Sequence, residues 1–221
     1  MNLQETFQKF SADKHVHHFG DFYEQFLGPR KDSVRRLLEI GVAFGNSLRA
    51  WQDYFPNARI FGIDHAPEKC FFEGRITCFV GNQDHRESLR EAHAAVGGDL
   101  DVVIDDGGHR INQQVKTLAE FFPSVVPGGV FIIEDLHASF SPDYGLLADG
   151  SNSIYKMLTT FQEKGTFAHG CLEPSDVEYL QEHVLSCHIF SRRTGHGKAG
   201  RGKGKAMSLA AVLIKKGVPN V

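Results

Sequence analysis

The sequence predicts a doubly wound α/β fold, and three observations carry that prediction. Five short apolar runs recur between residues 36 and 135. Capped, helix-like stretches separate them. Each run ends close to a glycine or an acidic residue. Alternation of continuous apolar strands with amphipathic helices is the pattern of a parallel sheet covered on both faces.

The runs are Arg36–Val42, Arg59–Asp64, Arg75–Gly81, Leu100–Gly107 and Gly129–Asp135. None shows the strict polar alternation of a strand with one wet face. Between them, Asn46–Phe55 opens on Asn-Ser, places Leu48 and Trp51 one turn apart and stops at Pro56. His85–Val96 is rich in alanine and charge and ends at Gly97-Gly98, and Asn112–Phe122 runs to Pro123. Ser153–Gly165 and Ser175–His183 read as two more helices. Val184–Phe190 and Ser208–Lys216 read as strands joined by a glycine-rich basic loop, too irregular for a crossover helix, so they are expected to pair antiparallel.

At 221 residues the chain fits a single domain of this class. The expected divisions are an N-terminal helical cover (1–34), a ligand-binding core (35–135), a substrate-side segment (136–182) and a C-terminal hairpin (183–221). The formal net charge of −3 argues against bulk electrostatic attraction to nucleic acid. Cys70, Cys78, Cys171 and Cys187 form no C-x-x-C pair, which disfavours zinc-ribbon and thioredoxin-like readings. With no apolar signal core and no run of membrane-spanning length, a reducing cytoplasm is expected and a membrane is not.

The first strand runs into Glu39-Ile40-Gly41-Val42-Ala43-Phe44-Gly45, an E-x-G-x-x-x-G pattern. Open α/β sheets bind ligands beyond the carboxyl ends of their strands. Gly41 and Gly45 allow a tight turn and a close backbone approach. The spacing is not the G-x-G-x-x-G that seats a pyrophosphate, so a ligand without phosphates fits better. Asp64, ending the second strand, suits a ribose diol. Gln83 and Asp84, after the third, stand where an adenine edge would be read. Each could also be an ordinary turn glycine or strand-end cap. Their register at successive strand ends favours a nucleoside-bearing cofactor.

The fourth and fifth strands end in Asp105-Asp106-Gly107-Gly108-His109 and Glu134-Asp135-Leu136-His137. Neighbouring strands lie roughly 4.8 Å apart, so Asp106, Glu134 and Asp135 can converge. Clustered carboxylates raise one another's pKa, and a divalent cation resolves that conflict. Oxygen ligands select Mg²⁺ or another hard ion. The alternative is that these acids cap helices. His109, three residues past Asp106, is the candidate general base, with His137 its rival.

Together the glycine loop, the strand-end acid and the closing hairpin resemble the class I S-adenosylmethionine-dependent methyltransferases, over nearly all of the chain after about residue 35. The resemblance implies a Rossmann-like seven-stranded sheet with the last strand antiparallel. It also implies S-adenosylmethionine held by Glu39, Gly41, Gly45, Asp64, Gln83, Asp84 and Asp105. Residues 103–145 further resemble the metal-dependent macrolide sugar O-methyltransferases and the cephalosporin hydroxylase-like family. Their shared signature is D-D-G-S-H, then P-G-G-x-x-E-D, then aromatic-P-x-Y-G. That match implies Mg²⁺ on Asp106, Glu134 and Asp135 and His109 as base. Gly108 departs from the usual Ser, and Phe140-Ser141-Pro142 from Tyr-Trp-Pro. The Asp13-Lys14-His15-Val16-His17-His18-Phe19 segment resembles the family's D-K-x-x-H-x-Y entry, with Phe19 departing; it could cover cofactor and substrate, form an adventitious histidine metal patch, or be a plain surface helix.

The expected activity is therefore methyl transfer to a hydroxyl of a small molecule such as a sugar or other diol. Two rivals remain. Arg192, Arg193, Lys198, Arg201, Lys203 and Lys205 could contact RNA or a phosphorylated substrate, although no aromatic residue interrupts them to stack on bases. The chain could also be a non-catalytic partner subunit. An oxidoreductase ranks lower, for want of the dinucleotide glycines. The oligomeric state, a homo-oligomer included, is left open.

Overall fold

The computed structural model describes residues 1–193 and 207–217. In chain order the elements are α1 (Leu3–Lys9), α2 (Phe19–Leu27), β1 (Arg36–Ile40), α3 (Asn46–Tyr54), β2 (Arg59–Asp64), β3 (Phe72–Glu73), β4 (Ile76–Val80), α4 (Arg86–Val96), β5 (Leu100–Asp105), α5 (Ile111–Phe121), β6 (Val125–Ile133), α6 (Ile154–Lys164), α7 (Pro174–His183), β7 (Val184–Arg193) and β8 (Met207–Lys215).

One sheet runs in the order β3-β4-β2-β1-β5-β6-β8-β7. The central pairs β4–β2, β2–β1, β1–β5 and β5–β6 are parallel. The hairpin β7–β8 is antiparallel and β8 lies antiparallel on β6. Among the described residues the sheet has eight strands rather than seven. The addition is the two-residue β3, paired antiparallel with β4 through Phe72–Thr77 and Glu73–Ile76. Two residues carry too little pattern to be read as a strand.

Alternate residues of each central strand enter opposite cores. Leu38, Ile40, Val103, Phe131 and Ile133 pack with α4 to α7. Leu37, Val102, Ile104, Val130 and Ile132 pack with α1 to α3, around Trp51, Phe7 and Tyr23. Both faces are dry, so the strands read as unbroken apolar runs.

Several helix ends follow the expected chemistry. Ser153 Oγ accepts from Lys156 N at the start of α6, and left-handed Gly165 ends that helix. The start of α3 differs from expectation. Its cap is left-handed Gly45, and the Asn46 amide donates to Ser11 O at 3.2 Å instead. This ties the N-terminal segment to the glycine loop. The strand order reverses around β1, between β2 and β5, and that switch point sets where a ligand cleft can open.

Candidate active site

A cleft of about 710 Å³ opens beyond the carboxyl ends of β1, β2, β4 and β5. Such a volume suits a cofactor-sized ligand. Gly41 has φ +97°, and a Cβ there would stand 2.0 Å from the carbonyl oxygen of Asp106. Only glycine lets the β1 and β5 ends approach this closely. The β1–α3 turn is fixed by Asp64. Its Oδ2 accepts from Val42 N (3.0 Å) and Ala43 N (3.3 Å), and its Oδ1 from Ala66 N (3.0 Å).

Of the residues expected on a cofactor, Gly41, Asp64, Gln83 and Asp84 line the cleft. Glu39, Gly45 and Asp105 are not among its lining residues. The Glu39 carboxylate is fully buried and turns inward to Ser47 Oγ (2.7 Å) and Trp51 Nε1 (3.1 Å). Asp105 Oδ1 accepts from Gln83 Nε2 at 2.8 Å, and burial raises its carboxyl to about 6. Gln83 in turn donates to Thr117 Oγ1 and accepts from Gly108 N, so its amide is spent holding β5 and the following loop. Gly45 acts as the α3 cap.

The acids at the ends of β5 and β6 fall into two groups that share Asp106. The outer group is Asp106, His109 and Asp135, whose ligand atoms all lie within 4.8 Å of one another. The inner group, Glu39, Asp106 and Glu134, meets the same limit. Glu134 and Asp135, expected side by side on one ion, thus fall into different groups. Asp106 and His109 line the cleft. Around Asp135, His109 Nε2 lies 3.3 Å from Oδ2 and His137 Nδ1 3.5 Å from Oδ1. Ala43, His109 and Asp135 all have positive φ, +47°, +57° and +54°. Non-glycine residues held there are strained, and such residues gather at functional sites.

One residue at the centre was not foreseen in this role. Lys14, on the short 3₁₀ turn Asp13–His15, is 1% exposed. Its ammonium hydrogen-bonds Asp106 and lies 2.9 Å from Glu39 Oε1 and 2.8 Å from Glu134 Oε1. Burial opposes its charge, but Asp106, Glu134 and Glu39 outweigh burial and hold its pKa well above the usual lysine value. Burial raises the carboxyls of Glu39, Asp106 and Glu134, with Lys14 acting against the rise in each. One ammonium does not balance three carboxylates.

The expected basic loop lies mostly outside the described residues, Lys198, Arg201, Lys203 and Lys205 among them. Arg192 pairs with Asp21 at 3.0 Å. No helix among the described residues is long and apolar enough to cross a membrane.

Residues 38–136 match a family model described as a methyltransferase domain. Among curated proteins, the chain is 37% identical over 187 residues to mycinamicin VI 2''-O-methyltransferase of Micromonospora griseorubida. That alignment covers 79% of this chain and 46% of the relative. It is 31% identical over 185 residues to 8-demethyl-8-(2-methoxy-alpha-L-rhamnosyl)-tetracenomycin-C 3'-O-methyltransferase of Streptomyces olivaceus, covering 79% and 47%. The chain spans about half the length of these relatives. Among solved structures it superposes, with TM-score 0.77 and 26% identity, on a methyltransferase from the mycinamycin biosynthetic pathway in complex with Mg, SAH and mycinamycin VI. That match covers all of this chain and 57% of the other. The cleft at the switch point, the sheet order and these likenesses agree: residues 38–136 match a methyltransferase domain, and the chain has the α/β Rossmann-like methyltransferase fold.

Proposed function

We propose that the protein transfers a methyl group from S-adenosylmethionine to a sugar hydroxyl of a small glycoside, assisted by a hard divalent cation such as Mg²⁺. The observation that carries this reading is the outer group: Asp106, His109 and Asp135 gather at the same strand ends as the glycine-loop cleft. The names of the relatives support it, since both are O-methyltransferases and one is named for a rhamnosyl-bearing compound.

The residues fit both groups. For the cofactor, the cleft offers the Asp64 carboxylate, the close backbone of the glycine loop and the 79%-exposed Phe44 ring. For the ion, Asp106 and Asp135 meet at the cleft, and Glu39, Asp106 and Glu134 gather at the ammonium of Lys14 beside them. Their oxygens suit a hard ion better than zinc or copper. Asp106 and Asp135 would hold it, with Glu134 completing the acidic surround.

When bound, the cofactor supplies an electrophilic methyl group on a sulfonium, and the ion acidifies and orients the acceptor hydroxyl. The chain does the rest. Asp64 and the β1–α3 turn fix the nucleoside end of the cleft. His109 would take the proton that the acceptor hydroxyl gives up. The imidazolium so formed has Nε2 facing Asp135 Oδ2, which stabilises it. Residues Ser11 to Asp13 wall the cleft on the N-terminal side and exclude water.

The test is methyl transfer from S-adenosylmethionine to a panel of deoxysugar glycosides, with EDTA and then with MgCl₂ restored. Transfer that disappears with chelator and returns with Mg²⁺ is the expected result. Full transfer in excess EDTA would remove the ion from the mechanism.

A further inference from the structure

Two consecutive glycines just past the end of β5 each seat a glutamine. A Cβ on Gly107 would overlap Gln83 Oε1, and one on Gly108 would overlap Gln113 Oε1 and stand 3.1 Å from Gln113 Nε2. The two carboxamides are used differently. Gln83 Nε2 donates to Asp105 Oδ1 and Thr117 Oγ1, and its Oε1 accepts from Gly108 N. Gln83 therefore has no donor left for a ligand, although its sequence position made it an expected reader of an adenine edge.

Gln113, in the first turn of α5, is 8% exposed and lines the cofactor cleft. Its Oε1 accepts from Arg110 N at 3.3 Å. A backbone N–H can only donate, so this bond fixes which end of the amide is oxygen. Nε2 has no partner among the described residues and is not sealed in the interior, so it opens on the cleft. A glutamate would cap the helix equally well, since acidic residues favour this end. What the neutral amide adds is a donor. Asp84 lines the same cleft beyond β4. Its backbone is held by Asn82 and Lys116, and neither bond uses its carboxylate, which is an acceptor.

We propose that Gln113 is the specificity-determining residue for the nucleobase of the cofactor. Its Nε2 donates to adenine N1 while the Asp84 carboxylate accepts from the 6-amino group. Gly108 is needed because a side chain there would displace the Gln113 carboxamide. Arg110 N holds the amide against the flip that would turn it into an acceptor. A 6-oxo base, with a proton on N1 and an oxygen at C6, therefore meets two mismatched groups. This rests on the cofactor reading above and on neither the ion nor the acceptor.

The experiment measures, by calorimetry on the full chain, the affinities of S-adenosylhomocysteine and of its deaminated analogue S-inosylhomocysteine. The wild type should prefer the adenosyl ligand by at least about tenfold. Gln113→Glu keeps the helix cap and replaces the donor by an acceptor. It should weaken S-adenosylhomocysteine by about tenfold or more and S-inosylhomocysteine much less, so that the preference collapses. Gly108→Ala should narrow the preference in the same direction, while a thermal melt stays near that of the wild type because a side-chain end can move aside. An unchanged preference in either variant, an equal loss for both ligands in Gln113→Glu, or a wild type without preference would each overturn the assignment. A wild type that binds neither ligand would overturn the cofactor reading beneath it.

Discussion

His109 Nε2 lies 3.3 Å from Asp135 Oδ2, and both residues hold their backbones in the left-handed region, at φ +57° and +54°. Each position costs roughly 1 kcal/mol or more for a non-glycine residue. Two such residues in contact, from different strand ends, imply that the surrounding structure fixes the pair. His137 approaches the same carboxylate at 3.5 Å, but it is 44% exposed against 24% for His109, and it does not line the cleft. His109→Ala should therefore lower turnover by roughly 10²–10⁴-fold while leaving S-adenosylhomocysteine affinity nearly unchanged. His137→Ala should have the smaller effect. Steady-state kinetics beside calorimetry would decide, and the reverse order of effects would move the base to His137.

Asp64 performs two tasks at once. Its carboxylate already accepts three backbone N–H groups of the turns that frame the cleft, and it lines the cleft. Asp64→Ala should weaken S-adenosylhomocysteine binding by about ten- to hundredfold, the scale of lost charge-assisted hydrogen bonds. Asp64→Asn keeps one acceptor oxygen and should fall between. Calorimetric affinity unchanged in Asp64→Ala would sink the ribose assignment.

The parallel core was legible because strands buried on both faces leave unbroken apolar runs, and the runs at β1, β2, β4, β5 and β6 all appear where expected. The acids at two adjacent strand ends were legible for the same reason, since topology alone brings Asp106 near Glu134 and Asp135. Lys14 was not legible as their partner. It contacts Asp106 across 92 positions of chain, from a polar segment in which any lysine reads as solvated. The inward turn of Glu39 was equally hidden, because its direction is set by Trp51 and Ser47 packing beneath the loop. Backbone pattern fixes where strands end. It does not fix which of two neighbouring acids points to solvent.

Gly41 and Gly128 separate two kinds of glycine requirement. Both have positive φ, +97° and +77°. A Cβ on Gly128 would meet nothing within 4 Å, whereas one on Gly41 would meet Asp106 O at 2.0 Å. Gly128→Ala should cost about 1 kcal/mol, from backbone strain alone. Gly41→Ala should cost more than about 3 kcal/mol or prevent folding, because two strand ends must separate. Urea melts of both variants would check this, and equal midpoints would show that the β1–β5 contact is looser than described.

His169 should make the substrate-side segment sensitive to mild acid. Its Nδ1 accepts from Cys171 N at 3.1 Å, and its Nε2 faces Asn152 O at 2.8 Å. Only the neutral ring with its proton on Nε2 satisfies both. Burial lowers its pKa, and the bond to Asn152 O opposes that only in part. A histidine whose folded pKa lies below its unfolded value, roughly 6.5, contributes stability that is fully present above that value. The contribution is lost as pH falls from there through the folded pKa, because protonating Nδ1 removes the acceptor for Cys171 N–H. Asn152 also accepts from Leu147 N and donates to Gly145 O, so the disturbance should reach the 145–152 turn. Hydrogen exchange in residues 145–172 should accelerate between about pH 6.5 and pH 5, ahead of the β1–β5 core. In His169→Asn, which has no group titrating in that range, exchange should be faster at neutral pH and should lose this extra acid dependence, after correction for intrinsic exchange rates. Equal acid sensitivity in wild type and His169→Asn would assign the effect to another group.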